Sequence, residues 1–414
     1  MNQRPTPPPH APVLAFGRRD GVLTIGGRDV RELVAQVGGT PAFFYERAFI
    51  EARVAALRAA MPAGIKLHYA IKANPMPAVL KLMAGLVDGL DVASAGELAM
   101  ALDTGVNPQT ISFAGPGKTD AELQAAIVAG IVLNLESAGE MRRAAAIAQR
   151  LGARPKVAVR VNPDFELKAS GMHMGGGPRP FGVDAEQVPA LLEEMSSTCL
   201  QFHGFHIFSG SQNLRVEAIM ECQEKTMALA LALARHAPEA PRMLNIGGGF
   251  GLPYFPGDRH LDLAPIGRNL DAVLAQARPQ LPVDCEVILE LGRYLVGEAG
   301  VYICQVVDRK ISRGQVFLVT DGGLHHQLAA SGNFGQVLRK NYPTAIATRI
   351  DQPETEKVNI VGCLCTPLDR LAEHVAMPAA QEGDLVAVFL AGAYGLSASP
   401  TAFLGHPPPA ELLV

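Results

Sequence analysis

The sequence lacks several features that mark particular classes of protein. Across its 414 residues, no stretch approaches the roughly 18 uninterrupted apolar residues of a membrane span. The N-terminus has Pro5, Pro7, Pro8 and Pro9 but no apolar segment, so we expect no signal peptide. The net charge of −4 leaves no basic stripe to neutralise phosphates. We therefore expect a soluble protein with no membrane and no nucleic-acid partner.

Cysteine is scattered, and the six cysteines are Cys199, Cys222, Cys285, Cys304, Cys363 and Cys365. Their spacing shows no disulfide framework, which favours a reduced, cytoplasmic protein. Only Cys363 and Cys365 are close together, and a C-x-C pair without a second pair is a weak signal for zinc. The sequence therefore predicts no metal site.

The sequence does have a regular alternation of strand-like and helix-like segments. Including the run that leads to Lys72, eight runs are strand-like, the others being Leu90–Val92, Ile111–Ala114, Ile131–Leu135, Val157–Val161, Phe202–Phe208, Met243–Ile246 and Val287–Leu291. Helical patterns before and between them include Arg47–Ala60, Ala95–Leu102, Asp120–Ala129, Ala138–Leu151, Ala185–Met195 and Val216–Ala234. Eight such units predict an α/β fold, the (β/α)₈ TIM barrel. An open doubly wound sheet is the alternative, but its glycine-rich turn normally follows the first strand, and here the first glycine cluster comes late.

The pattern differs on both sides of this alternation. Residues 1–20 form a proline-rich lead, Gly21–Val30 is typical of a hairpin, and Arg31–Val37 is typical of a small helix. After Gly297, short β-branched runs predict a mainly β domain, and these runs are Val301–Val307, Gln315–Thr320, Val358–Val361 and Leu385–Leu390. We expect residues 1–40 to contribute to this β-domain, the barrel to span 41–296 and the C-terminal β-domain to span 297–414.

The stretch His68–Pro75 (HYAIKANP) predicts a short apolar strand that ends on Lys72 and is stopped by Asn74-Pro75. The carboxyl ends of barrel strands are where this fold places its chemistry. A lysine held there, partly desolvated by apolar neighbours, can form a Schiff base with an aldehyde. Taken alone, however, such a residue is more often a plain surface lysine.

Most other strand ends also present polar groups or glycines, namely Asp91, Ser94, Glu97, Arg160, Asn162, His206, Ser209, Gly247–Gly249, Glu290, Gly292 and Arg293. The triple glycine lets backbone N–H groups surround a phosphate, and barrels often bind phosphate after strands seven and eight. If the ligand is a phosphorylated pyridine aldehyde, Glu290 can pair with its pyridine nitrogen, and His206 can lie against the face of its ring. Each of these features also has an ordinary structural explanation. The triple glycine is often only a tight loop, Glu290 could form a structural ion pair with Arg293, and His206 could be a hydrogen-bonded histidine of the core.

In this order the residues resemble the fold-type III (alanine-racemase-like) decarboxylases that use pyridoxal 5'-phosphate, the group of diaminopimelate, ornithine and arginine decarboxylases. The resemblance covers about Pro41 to Val414. It implies that Lys72, in the A-x-K-A-N motif, holds the cofactor as an aldimine, and that His206 stacks on the pyridine. It implies further cofactor-binding residues: Asp91, Arg160, Ser209, Gly247, Gly248, Gly249, Glu290 at the pyridine nitrogen, Gly292, Arg293 and Tyr394 of Ala393-Tyr394-Gly395.

The segment Gly362–Asp369 (GCLCTPLD) resembles the cysteine loop of that family. There the loop reaches across a dimer into the neighbouring site, which implies a homodimer with sites at the interface. Cys365 takes the position of the cysteine that protonates the decarboxylated carbon, so the expected catalytic residues are Lys72, Cys365 and His206.

More narrowly, Met172–Phe181, His206–Gln212 and Cys365–Asp369 resemble the decarboxylase subgroup associated with exosortase and exopolysaccharide gene clusters. They are also similar to decarboxylases that act on a glutamyl group bound to a carrier protein. Two positions depart from the diaminopimelate and ornithine enzymes: Thr366 stands where an acidic residue meets the distal amine, and Leu291 replaces a proline. Lysine, ornithine and diaminopimelate therefore become doubtful substrates. Candidate substrate-binding residues are Arg179, Arg293, Arg339, Thr366 and Asp369, although Arg179 and Arg339 are more often simply solvated.

These observations predict decarboxylation of an L- or D-amino acid, either free or bound to a carrier. An amino-acid racemase on the same fold is one alternative, but such racemases tend to place an arginine at the pyridine nitrogen, where Glu290 stands here. A catalytically silent pyridoxal-phosphate-binding homologue is another, but Lys72, Glu290 and Cys365 are all present. A small single-domain pyridoxal-phosphate-homeostasis protein would lack the β-domain.

Overall fold

The structure is a computed structural model that describes residues 9–165, 172–173, 175–334, 336 and 339–414. Part of the predicted proline-rich lead, residues 1–8, and Met174 of the Met172–Phe181 segment lie outside the described residues. The chain divides into two compact units. The barrel unit contains Val54–Gly251 and Leu261–Gly292, and the β unit contains the residues up to Arg53, Leu252–His260 and Arg293–Val414. The domain boundaries expected from the sequence stay a prediction.

The first elements of the chain are short and mostly β: strands β1 Gly17–Arg19, β2 Val22–Ile25, β3 Arg28–Asp29 and β4 Ala42–Tyr45, and helices α1 Val30–Gln36 and α2 Arg47–Ala60. Strands β1, β2 and β3 form an antiparallel sheet, which confirms the predicted hairpin. Helix α1 begins after Asp29 because the Asp29 carboxylate accepts a hydrogen bond from the Arg31 N–H.

Eight parallel strands form the closed barrel: β5 Ile65–Ala70, β6 Gly89–Val92, β7 Ile111–Phe113, β8 Val132–Leu135, β9 Lys156–Asn162, β12 Gln201–Ile207, β14 Met243–Gly248 and β15 Glu286–Leu291. Three two-residue strands lie among them, β10 Met172–His173, β11 Val183–Asp184 and β13 Gly210–Ser211. The barrel strands pair in chain order, and β15 pairs with β5 to close the ring. The predicted TIM barrel is confirmed. Its strands are almost continuously apolar because both of their faces are covered.

Helices follow the barrel strands: α3 Pro77–Ala84, α4 Ala95–Asp103, α5 Asp120–Ala129, α6 Ala138–Leu151, α7 Val188–Met195, α8 Val216–Ala234 and α9 Leu263–Ala277. Ser94, Thr119 and Ser137 cap α4, α5 and α6, each accepting the N–H of a glutamate three residues later. Helix α7 begins at Val188, later than predicted, because a 3₁₀ turn occupies Ala185–Gln187. Helices α3 and α9 were not among the predicted segments.

The remaining elements belong to the β unit: helix α10 Arg293–Val296 and strands β16 Gly300–Ser312, β17 Gln315–Thr320, β18 Thr344–Ile346, β19 Glu356–Val361, β20 Arg370–Met377, β21 Leu385–Val388 and β22 Ala410–Leu413. Strand β16 pairs with β4, β17 and β21. Leu23 and Leu33 from the N-terminal elements share one apolar core with Phe44, Val301 and Ile303. The N-terminal hairpin therefore packs within the mainly β unit. Among the described residues, no helix combines the length and apolar character that a membrane crossing requires.

Candidate active site

Lys72 lies beyond the end of its strand. Strand β5 ends at Ala70, two residues earlier than predicted, and Lys72 stands in a 3₁₀ turn over Ile71–Ala73. Asn74 stabilises the turn, because its Oδ1 accepts the Met76 N–H and its carbonyl accepts the Tyr69 hydroxyl. Lys72 is exposed and lines a cavity of about 300 Å³. The side chain is therefore accessible from the cavity, and its partial desolvation by apolar neighbours stays an expectation.

The cavity brings several predicted residues together at the carboxyl ends of the barrel strands. Its walls include Lys72, Asp91, Arg160 and Glu290 from the predicted set, together with Phe181. Because β5, β6, β9 and β15 are parallel, the residues at their carboxyl ends meet at one rim of the barrel. The strand order thus gathers residues that are far apart in the sequence.

Glu290 is buried among polar partners. Its Oε2 lies 3.0 Å from His206 Nε2 and accepts a hydrogen bond of 3.1 Å from Asn245 Nδ2. Burial opposes ionisation, but the contact with His206 and the nearby positive charges hold the pKa of the Glu290 carboxyl well below its usual range. Glu290 is therefore a carboxylate at neutral pH, the form that can pair with a protonated ring nitrogen.

The triple glycine forms a bare backbone turn where β14 ends. Gly247 and Gly249 have φ of 68° and 71°, in the left-handed region that favours glycine. A Cβ on Gly248 would lie 2.5 Å from the Glu290 carbonyl oxygen, and a Cβ on Gly249 would collide with the Gly210 carbonyl oxygen. Ser209 is also buried, and it directly precedes Gly210, whose carbonyl oxygen lies against this turn. A turn of backbone amides without side chains suits a phosphate, so these residues fit the phosphate end of pyridoxal phosphate.

Asp91 belongs to a buried polar network that the sequence did not reveal. Its Oδ1 lies 3.1 Å from His68 Nδ1 and accepts a hydrogen bond of 2.5 Å from Ser112 Oγ. Asn134 Nδ2 donates to the same Ser112 Oγ at 3.1 Å. Burial lowers the pKa of His68, but the Asp91 carboxylate outweighs it, so the pKa of His68 is raised. His68 belongs to the HYAIKANP stretch that also contains Lys72. Its position in β5, two residues before the strand ends, was the signal in the sequence that could have identified it as part of the site.

Arg160 is held by Glu136, which was also missed. Glu136 Oε1 accepts hydrogen bonds from Arg160 Nη1 at 2.7 Å and from the Gly115 N–H at 2.5 Å. The Phe181 ring centroid lies 4.9 Å from the Arg160 guanidinium carbon. Glu136 directly follows β8, so the rule that identified other polar residues at strand ends applied to it as well.

A second lysine, Lys118, also lines the cavity. Its Nζ donates to the carbonyl oxygens of Gly115 and Asn134 at 2.7 and 2.8 Å and to Glu140 Oε1 at 2.8 Å. Burial lowers the pKa of Lys118, although the Glu140 carboxylate opposes this shift. Lys118 thus has its three donor positions occupied inside the wall, whereas Lys72 is the exposed lysine of the cavity.

Arg293 and Tyr394 lie together in the β unit. The Arg293 guanidinium carbon lies 4.6 Å from the Tyr394 ring centroid, and Arg293 Nη1 donates to the Tyr254 hydroxyl at 3.1 Å. Tyr394 has a φ of 54°, unusual for a residue with a side chain. Gly292 lies in the barrel unit, where a Cβ would come within 2.9 Å of the Ala73 Cβ. Tyr254 had no signal in the sequence, because its position depends on the fold.

The remaining predicted residues have varied surroundings. Cys365 is exposed and Thr366 half-buried, whereas Asp369 is buried and accepts the N–H groups of Leu324 and Leu364. Arg339 Nη2 donates to the Arg370 carbonyl oxygen at 2.7 Å. Arg179 is exposed, and its Nε donates to the Gly176 carbonyl oxygen at 3.0 Å.

Comparison with known proteins agrees with this geometry. The family profile of the pyridoxal-dependent decarboxylases, pyridoxal binding domain, matches residues 47–297. An L-glutamyl-[BtrI acyl-carrier protein] decarboxylase from Niallia circulans is 40% identical over 90% of this chain and 88% of that protein. A diaminopimelate decarboxylase from Aquifex aeolicus is 34% identical over 96% of this chain and 91% of that protein.

Solved structures agree as well. The diaminopimelate decarboxylase from Helicobacter pylori complexed with L-lysine is 28% identical, with a TM-score of 0.82 over 93% of this chain and 94% of that one. The similarity therefore extends through both the barrel unit and the β unit.

Proposed function

The chain belongs to the family of pyridoxal-dependent decarboxylases, and we propose that its substrate is a glutamyl group bound to a carrier protein. The reaction class is decarboxylation of an amino acid, and the cofactor is pyridoxal phosphate. The comparisons do not favour the racemase alternative, since the relatives named above are decarboxylases.

The observation that supports this substrate is the environment of Asp369. In the segment Gly362–Asp369, Asp369 is the only acidic residue. Its Oδ1 accepts the Leu324 N–H at 2.6 Å and its Oδ2 accepts the Leu364 N–H at 2.8 Å. The residue that follows Cys365 is Thr366, which carries no charge. The segment Gly362–Asp369 therefore has no carboxylate free to pair with a substrate. This argues against a substrate whose side chain ends in an ammonium group, since that charge would lack a partner in this loop.

A glutamyl group on a carrier has the complementary chemistry. Because the α-carboxyl group leaves as CO₂, the carrier must be attached through the side-chain carboxyl group. That attachment converts the distal carboxylate into a neutral acyl group, so the loop needs no charged partner for it. The relative from Niallia circulans, which acts on an L-glutamyl carrier protein, supports the same substrate.

The residues of the barrel unit have distinct proposed roles. Pyridoxal phosphate, when bound, supplies the electron sink that accepts the electron pair released with CO₂. Lys72 is the proposed point of covalent attachment. Glu290 keeps a proton at the ring nitrogen, and its negative charge is in turn held by His206 and Asn245. The N–H groups of Gly247–Gly249, with Ser209, are proposed for the phosphate.

Other predicted residues complete the proposed machinery. Asp91 and Arg160 form the cavity wall, each fixed by a buried network. Arg293 and Tyr394 are proposed for the phosphate or the substrate carboxylate. Cys365 is proposed to return the proton to the carbon that loses CO₂.

The substrate test compares carrier-bound and free amino acids. The purified enzyme, loaded with pyridoxal phosphate, is incubated with a carrier protein bearing a glutamyl thioester at its phosphopantetheine, and intact-protein mass spectrometry follows the loss of CO₂. Free L-glutamate, L-lysine, L-ornithine and meso-diaminopimelate are assayed in parallel for released CO₂. We expect turnover of the carrier-bound group to exceed that of every free amino acid. Faster turnover of lysine or diaminopimelate would contradict the proposal.

We also propose that the enzyme is a homodimer in which Cys365 of the partner subunit serves the site of Lys72. This can be tested by mixing Lys72→Ala and Cys365→Ala variants, each nearly inactive by itself, under conditions that exchange subunits. A random mixture of the two should recover about a quarter of wild-type activity, because half of the dimers are mixed and each of these has one intact site. No recovery, with subunit exchange verified by mass, would place both residues in one chain.

Two finer assignments remain proposals. A cytoplasmic location is supported by six cysteines, none of which forms a disulfide. An association with exosortase or exopolysaccharide genes is supported by the segments that resemble that subgroup, and inspection of the neighbouring genes tests it.

A further inference from the structure

Three loops of the β unit bring His325, Cys363 and His406 together. The Cys363 Sγ and one ring nitrogen of each histidine all lie within 4.8 Å of one another, and Cys363 Sγ is 3.8 Å from His406 Nε2. His325 is fully buried, and neither of its ring nitrogens makes a hydrogen bond to the described part of the chain. Burying an imidazole whose ring nitrogens make no hydrogen bonds costs free energy, so the position of His325 in this cluster points to a ligand for it.

The loops that carry these residues are tied to one another by hydrogen bonds. The Asp369 carboxylate accepts the N–H of Leu324, next to His325, and the N–H of Leu364, next to Cys363. Gly323 and Gly362 leave room for that carboxylate, since a Cβ on either glycine would collide with it. The Asp369 carboxylate therefore fixes the positions of the two loops that carry His325 and Cys363, so the cluster is not a chance approach of surface side chains.

The third loop is tied in through His326. His326 Nε2 lies 3.2 Å from the carbonyl oxygen of Pro407, next to His406, and its Nδ1 lies 3.1 Å from the Tyr302 hydroxyl. With both of its ring nitrogens engaged, His326 positions the loops, while the adjacent His325 is left to face Cys363 and His406. Such supporting contacts are typical of residues around metal ligands.

We propose that His325, Cys363 and His406 bind a zinc ion. Zinc bonds of about 2.0–2.1 Å to imidazole and about 2.3 Å to thiolate place neighbouring tetrahedral ligands roughly 3.3–3.7 Å apart. The observed Cys363–His406 separation of 3.8 Å agrees with this, and because no two of the ligand atoms are farther apart than 4.8 Å, closing the cluster around zinc needs movements of at most about 1 Å. Two imidazoles and one thiolate are a ligand set that suits zinc, and the thiol proton is released on binding.

Three protein ligands leave one coordination position for water or another small ligand. Cys363 and His406 are only half-buried, so this position is reachable from solvent. Cys363 also precedes Cys365 by two residues, so a bound zinc ion would hold one end of the loop that carries Cys365. The proposal stands on the three ligands and does not depend on the identity of the substrate.

The first test measures zinc in the whole enzyme loaded with pyridoxal phosphate. The protein is dialysed against buffered zinc and analysed by elemental mass spectrometry, and we expect one zinc ion per chain. X-ray absorption at the zinc edge should show one sulfur at about 2.3 Å together with nitrogen ligands at about 2.0–2.1 Å. Less than stoichiometric zinc, or a shell of nitrogen and oxygen without sulfur, would overturn the proposal, and neither result requires a variant.

The second test compares variants of the same loop. Cys363→Ser and His406→Gln should each weaken zinc binding by at least about 100-fold, and Asp369→Asn by about 10–100-fold, because Asp369 acts through the ligand loops. Cys365→Ser is the matched control, since Cys365 is exposed in the same loop and should leave zinc affinity unchanged. Circular dichroism and pyridoxal phosphate content establish that each variant is folded. Equal zinc affinity in wild type, Cys363→Ser and His406→Gln would contradict the proposal, as would loss of zinc in Cys365→Ser.

Discussion

Glu290 Oε2 lies 3.0 Å from His206 Nε2, although β12 and β15 are separated in the barrel by β14. Asn245 on the intervening strand donates to the same oxygen at 3.1 Å. Three successive strands thus fix one carboxylate in a buried position, with its charge balanced by neighbouring cations. A carboxylate prepared in this way can keep a ring nitrogen protonated without reorganising during the reaction.

Replacing Glu290 tests this role. We expect Glu290→Gln to reduce kcat by about 100- to 1,000-fold, because an amide cannot hold a proton on the ring nitrogen by charge. Glu286→Gln is the matched control, since Glu286 is an exposed residue at the other end of β15. Steady-state assays of CO₂ release provide the measurement. Similar kcat values for the two variants would argue against the assigned role of Glu290.

Lys72 is expected to be the residue that holds the cofactor covalently. Borohydride reduction followed by peptide mass mapping should find pyridoxal phosphate on the peptide that contains Lys72 and not on the one that contains Lys118. Lys72→Arg keeps the charge but cannot form the covalent bond, and we expect activity to fall by at least about 1,000-fold. Labelling of Lys118 instead would show that the wrong lysine of the cavity was chosen.

The glycine turn after β14 is expected to tolerate no side chain. Gly249 and Gly64 both have positive φ, 71° and 86°, but a Cβ on Gly249 collides with the Gly210 carbonyl oxygen, whereas a Cβ on Gly64 meets no atom within 4 Å. Gly64→Ala should therefore cost about 1–2 kcal/mol of unfolding free energy, from backbone strain alone. Gly249→Ala should cost a further ~1–3 kcal/mol and weaken cofactor binding. Chemical denaturation measures the unfolding free energy of each variant, and cofactor titration measures the binding of pyridoxal phosphate. Equal losses of unfolding free energy in Gly64→Ala and Gly249→Ala would show that the glycine turn can move to accommodate a Cβ.

His68 and His203 should affect the pH dependence of stability in opposite directions. The pKa of His68 is raised in the folded protein, so its stabilising contribution is complete below the unfolded pKa of about 6.5 and is lost as pH rises through the folded pKa. The loss of stability caused by His68→Gln should therefore be largest at acidic pH. Burial lowers the pKa of His203 to about 4, so wild type loses stability as pH falls from about 6.5 toward 4.

His203→Gln should accordingly lessen the sensitivity of the protein to acid. Urea denaturation at a series of pH values, compared among wild type and the two variants, measures both signs. A pH-independent effect of His68→Gln would mean that the His68–Asp91 pair does not retain its charge in the folded state.

Thr366 is expected to govern selectivity at the distal end of the substrate. Thr366→Asp supplies the carboxylate that the loop otherwise lacks, and it should raise kcat/KM for L-lysine or meso-diaminopimelate by about tenfold or more. The same change should reduce activity on a carrier-bound glutamyl group. Thr366→Asn, similar in size but uncharged, is the control. An equal gain in both variants would assign the effect to shape and not to charge.

The architecture was largely predictable because periodicity is a local property. The strands before α5 and α6 and both helices themselves were predicted to within two residues, and the eight runs sufficed for the barrel. The region between Val361 and Val414 was harder, and β20 and β22 were missed, because edge strands of mixed polarity lack a clear alternation. Lys72 lies in the cavity, but the sequence placed it at the end of β5, and the 3₁₀ turn that carries it beyond Ala70 was not predicted. The Asn74-Pro75 pair is compatible with either ending, so it could not distinguish them.

The site was predictable only where a residue stands at a strand end or in a recognisable motif. Lys72, His206, Gly247–Gly249 and Glu290 met that condition. Glu136, directly after β8, also met that condition but was not singled out. Ser112 lies inside β7, where it orients the wall of the cavity through contacts between neighbouring strands, and it carries no mark in the sequence. The same holds for Tyr254, which touches Arg293 from a distant loop.

By itself, the sequence determined the barrel, the mainly β unit, the family and the residue types at the rim, because hydrophobic periodicity and short motifs are written along the chain. Only the tertiary structure decided which of those residues share a cavity, which carboxylates are already engaged, and how His325, Cys363 and His406 come together. The physical reason is that pKa values, hydrogen bonds and metal geometry depend on distances of a few ångströms between residues far apart in the chain, and these distances exist only once the strands have paired.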